Sequence, residues 1–141
     1  MITQAPFRNA IGKAARAALA KVRAVDAELA AAREKAATAH QAAQKAADAE
    51  VAAGAVVSAF RRALDAVLAD PESTAPQLSK AQAQLELAQA GFERAARGRF
   101  DSNMDEVSAN LTVAHLEDRA LAAKQAEQSA DPEQYGLPPI E

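Results

Sequence analysis

Small apolar residues recur with a seven-residue period along nearly the whole chain. From Ile11 the inward positions are Ile11, Ala15, Ala18, Val22, Val25, Leu29, Ala32, Ala36, Ala39, Ala43, Ala46, Glu50, Ala53, Val57, Phe60, Leu64 and Val67, and only Glu50 among them is polar. A second frame runs Leu78, Ala81, Leu85, Ala88, Phe92 and Ala95, and passes through Arg99, Ser102 and Glu106. It resumes at Ala109, Val113, Leu116, Ala120, Ala123, Glu127 and Ala130. Alternating spacings of three and four, held over this many heptads, predict long helices packed along a seam.

The first helix is predicted to begin between Pro6 and Asn9, because proline suits a first turn and asparagine is a good N-cap. It runs to about Asp70, where Pro71 stops it. At 1.5 Å per residue a helix of about 60 residues is roughly 90 Å long. Pro71-Glu72-Ser73-Thr74-Ala75-Pro76 is the turn. Thr74 and Gln77 have the spacing of a capping box, which starts a second helix at about residue 77 and carries it to about 130. The segment Arg97-Gly98-Arg99-Phe100-Asp101-Ser102 admits an alternative, in which one helix ends and Asp101 or Ser102 caps a third. Persistence of the seven-residue phase across it favours one helix with a kink.

The expected fold class is therefore all-α: a long, alanine-rich, coiled-coil-like antiparallel hairpin over residues 1–130, followed by a proline-containing tail over 131–141. Three features agree with this pairing. It lays the basic residues 8 to 23 beside the acidic C-terminal part. It gathers Val57, Phe60 and Leu64 against Leu78, Leu85 and Phe92 near the turn. It also brings Glu50 level with Arg97 and Arg99, so that the frame's polar interruptions meet as a register-setting ion pair. Gly54 and Gly98 fall at about one level, which permits close backbone approach or marks a weak point. The strongest seam positions are Val22, Val25, Leu29, Val57, Phe60, Leu64, Leu78, Leu85, Phe92, Val113 and Leu116.

Composition changes the picture in one respect. The chain has 141 residues, the length of one domain, and 41 of them are alanine. Alanine is the best helix former, but it buries little area at ~25 cal/mol per Å². Aromatics are few, with four Phe, one Tyr and no Trp. Such a chain forms helix readily and builds a thin core, so an oligomer or a bound partner is expected. Residues off the seam are also apolar: Leu19, Val51, Val56, Leu68, Leu87, Val107, Leu111 and Leu121. Of these, Leu87, Val107, Leu111 and Leu121 are assigned to partner docking, together with Tyr135, Leu137 and Ile140 of the tail. The N-terminal residues 1–7 are a further docking candidate. Glu50 and Glu127, polar groups at inward positions, read either as wet seam edge or as devices that select one alignment at a cost in stability.

Charge is uneven. Residues 1–25 carry Arg8, Lys13, Arg16, Lys21 and Arg23 with no acid, whereas residues 101–141 carry nine acids against Arg119 and Lys124. A basic amphipathic start can lie on an anionic membrane or track phosphates. Its apolar side continues the frame of the first helix, however, and the acidic C-terminal part supplies counter-charge. Pairing within the chain or with a protein is the first reading, ahead of a membrane surface and of nucleic acid.

Candidate chemistry is sparse. There is no cysteine, which removes disulfides, thiolate catalysis and Cys-built zinc sites. His40 and His115 lie off the frame without a strong ligand at i, i+4 spacing, and read as solvated surface residues. Asp105-Glu106 and Glu117-Asp118 are adjacent, so on a helix they point about 100° apart. Glycines are dispersed, so no phosphate-cradling loop is present. No enzyme activity and no cofactor are expected. No run reaches the ~20 apolar residues of a membrane span and no signal peptide is evident, so the expectation is a soluble chain, intracellular at synthesis.

The function expected is that of a structural or assembly protein acting through helix faces and docked termini. Its partner would be itself or another protein, as in a component of a large particle such as a phage virion or its assembly apparatus. One alternative is a small inhibitory or adaptor protein presenting an acidic helix face. Another is an amphipathic coat on lipid or polymer granules; the composition is loosely similar to that of phasins, although no phasin motif is present.

Overall fold

The computed structural model describes residues 5–130, with side chains described from Arg8 onward. Two long helices, α1 (Ala5–Ala69) and α2 (Ala75–Ser129), pack against each other. No strand occurs among the described residues. Tyr135, Leu137 and Ile140, and residues 1–4 of the N-terminal docking candidates, lie outside the described residues.

The turn forms as its residue types dictate. Asp70 Oδ1 accepts a hydrogen bond from the Glu72 amide at 2.9 Å, and the Ser73 amide donates to the Asp70 carbonyl at 3.2 Å. Thr74 then caps α2. Its amide donates to Gln77 Oε1 at 2.9 Å, and its Oγ1 accepts from the Gln77 amide at 3.4 Å. This reciprocal pair satisfies donors that the first helical turn leaves without partners. Pro76, lacking an N–H, sits in that same first turn without cost.

Two expectations about boundaries change. Helix α1 already includes Ala5, so Asn9 lies inside the helix and does not cap it, while Pro6 occupies the first turn. Helix α2 continues through Gly98–Ser102, so no third helix starts there. Neither Asp101 nor Ser102 is needed as a cap, because the backbone bonds continue past them.

By contacts the chain divides into two compact units, Met1–Ala36 with Ser108–Glu141, and Ala37–Val107. In the first, Val25, Leu29, Ala32, Leu116 and Ala120 form a buried cluster with Val113 packed against it. Val25 is the most enclosed of these, at 2% exposure. Val22 and Ala123 are buried in the same unit. In the second, only Ala43 and Ala81 are buried among the described hydrophobic residues. Val57, Phe60, Leu64, Leu78 and Leu85 are half-buried there, and Phe92 is exposed. The large side chains near the turn thus form the more open end of the seam. Two helices enclose only what lies between their axes, and the outer atoms of Phe and Leu reach beyond that line.

Candidate functional site

Every inward position of α1 from Ile11 to Val67 is buried or half-buried. The same holds for every position of the second frame from Leu78 to Ala130, the residue after α2, except Phe92 and Arg99. The seam accounts for one face of each helix and leaves the others to solvent. Those open faces are the candidate functional surface.

Two acids that interrupt the seam, Glu50 and Glu106, have side-chain partners on the facing helix. Within residues 37–107, Arg99 Nη1 lies 3.2 Å from Glu50 Oε1. Arg97, assigned to the same register pair, is exposed and forms no ion pair among the described residues. Arg99 extends from the seam's edge toward Glu50, whereas Arg97 sits two residues earlier, about 200° around the helix.

Glu106 is a second inward acid. His40 Nδ1 lies 2.6 Å from its Oε1. His40 is an exposed surface residue, as expected, and this contact adds a partner across the helices. The signal was present in the sequence: the register that pairs residue 50 with 99 places Glu106 opposite the turn of α1 that contains His40. His115 remains exposed.

Within residues 5–36 and 108–130 two further pairs form across the helices. Arg33 Nη2 lies 3.5 Å from Glu117 Oε1, and Arg119 Nη1 lies 3.3 Å from Glu28 Oε2. Both are exposed pairs, each of a kind worth ~0–1 kcal/mol, so they select alignment more than they add stability. None of Arg8, Lys13, Arg16, Lys21 and Arg23 forms an ion pair among the described residues. Three of the acids in the C-terminal part expected beside the basic start, Asp131, Glu133 and Glu141, lie outside the described residues.

Gly54 and Gly98 do not face one another. A Cβ on Gly54 would lie 3.5 Å from Phe92 Cε2, whereas one on Gly98 would meet nothing within 4 Å.

Two shallow clefts run beside the seam. One, of about 340 Å³, is floored by Ala32, Ala109 and Leu116 and edged by Glu28, Lys35 and Thr112. The other, of about 440 Å³, lies beside the turn among Asp70, Ser73, Gln77 and Lys80. Neither joins a nucleophile to a base by a hydrogen bond among the described residues. No group of three or more His, Asp or Glu side chains placed to hold a metal occurs among them either. No described helix is long and apolar enough to cross a membrane.

The open faces carry large apolar side chains. Val51, Val56, Leu68, Leu87, Val107, Leu111 and Leu121 are exposed. Leu19 is half-buried and withdraws from that set. Phe100 and Met104 join it. Their spacing with Val107 and Leu111, at i, i+4, i+7 and i+11, was the signal that marks them as one helical stripe. Comparison with family models, curated proteins and solved structures finds no match.

Proposed function

We propose that this protein is a non-enzymatic structural or assembly subunit that works through the helix faces its hairpin leaves open. One observation carries the reading. Among the described residues nine hydrophobic side chains are buried, five of them alanine, while ten large hydrophobic side chains stay exposed. A single apolar side chain on a surface needs no explanation, but here more large apolar side chains are exposed than are buried. Covering them with further helices is the route by which hairpins become bundles and larger assemblies. Polar seam residues held by partners, Glu50 with Arg99 and Glu106 with His40, fit a scaffold whose alignment matters more than its maximal stability.

Light scattering on the purified full chain over a wide concentration range tests this. The expected result is a defined multiple of the chain mass or a discrete larger assembly. A chain that stays monomeric at every concentration and brings no partner with it would overturn the proposal. A monomer holding one protein in a one-to-one complex would replace it with the adaptor reading.

A further inference from the structure

Residues 8–23 of α1 carry Arg8, Lys13, Arg16, Lys21 and Arg23 and no acid. All five are exposed, and none forms an ion pair among the described residues. At 100° per residue, Lys13, Arg16 and Arg23 fall within an arc of about 80°. That arc is centred about 160° from the mean direction of Ile11, Ala15, Ala18, Val22 and Val25. Arg8 and Lys21 stand nearer the seam, one on each side. The arc therefore points away from α2, and with it from Glu117, Asp118 and Glu127 of the same compact unit. Asp26 is the first acid of α1, a turn beyond Arg23.

What lies between the cations narrows the partner. The other exposed residues from Arg8 to Ala24 are Asn9 and alanines only. Large hydrophobic side chains that are exposed begin, among the described residues, at Val51. A helix lying in a bilayer interface inserts bulky apolar side chains, and a protein interface is centred on large desolvated anchors. This face offers neither. What it offers is charge-assisted hydrogen bonding from arginine forks and a lysine, between small side chains that let an extended polyanion come close. We propose that it binds the phosphate backbone of a nucleic acid, without reading its sequence. Association of that kind is driven by release of counterions from the phosphates and needs no apolar contact. The inference is independent of the assembly reading, since it uses none of the exposed apolar side chains.

Fluorescence anisotropy of a labelled duplex of about 20 base pairs, titrated with the full chain between about 50 and 200 mM salt, tests it. Three phosphate contacts predict a slope of log K against log salt of about −2.7, so binding should weaken roughly 40-fold over that range. Lys13→Gln with Arg16→Gln and Arg23→Gln should lower the affinity by about 10-fold or more and flatten the slope, at unchanged helical circular dichroism. A control, Arg61→Gln with Arg62→Gln and Lys80→Gln, removes the same charge from exposed positions elsewhere and should bind as the native chain does. Equal losses in the two variants would reduce the effect to net charge and overturn the proposal. Absence of binding at the lowest salt would overturn it as well. Tighter capture by phosphatidylserine vesicles, lost in the first variant, would assign the face to a membrane instead. Light scattering on the same samples reports assembly separately, so either reading can fail alone.

Discussion

Replacing Gly98 by alanine should stabilise the protein, and the sign of the effect tests whether α2 is continuous. Gly98 lies within the 55 residues of α2, well away from either end. A Cβ built there would meet nothing within 4 Å, so neither a clash nor a packing gain enters. What remains is helix propensity, in which alanine exceeds glycine by ~0.8–1.0 kcal/mol in a helix interior. For a chain of this size that corresponds to a rise in Tm of about 3–5 °C. Thermal unfolding followed by far-UV circular dichroism, with urea unfolding as a second axis, measures it. The opposite outcome is equally specific. If a helix ended at residue 98, glycine would occupy the left-handed position that follows a helix, and alanine would destabilise the protein there by about 1 kcal/mol. A lowered or unchanged Tm with native helical content would therefore refute the unbroken helix.

The remaining tests address the core, the cap and the register. Leu116→Ala should cost about 2–3 kcal/mol, the low end of the buried-leucine range because one side of Leu116 opens onto a cleft; Leu111→Ala, on an exposed side chain, should stay within about 0.5 kcal/mol in a monomeric reference state. Equal losses in urea unfolding would contradict the assigned seam. Thr74→Ala removes the hydroxyl that accepts from the Gln77 amide and should cost about 1 kcal/mol, whereas Thr74→Ser should retain most of the native stability. Glu50→Leu should raise Tm and broaden the distribution of assembled species, since it removes the partner of Arg99 from the seam. Unchanged assembly by light scattering would discard a register role for Glu50.

Much of the fold was legible because it is local. Alanine content and the three-and-four spacing specify helix. Pro71 specifies its end, and Thr74 with Gln77 specifies the next beginning, each through chemistry confined to a few neighbouring residues. The same periodicity separated seam from surface, which is why its inward positions, apart from Phe92 and Arg99, are the buried and half-buried ones.

What the spacing alone left open were quantities that depend on the distance between residues far apart in the chain. His40 became the partner of Glu106, Gly54 met Phe92, and Arg99 rather than Arg97 reached Glu50, because the alignment of the two helices sets those distances. Tertiary structure also decided the depth of burial. The enclosed cluster forms around Val25 and Leu116 instead of among the larger side chains at the turn. A period of seven says which way a residue points, whereas how much of it is covered depends on what stands opposite. For Phe100 and Met104 the hairpin supplies nothing opposite.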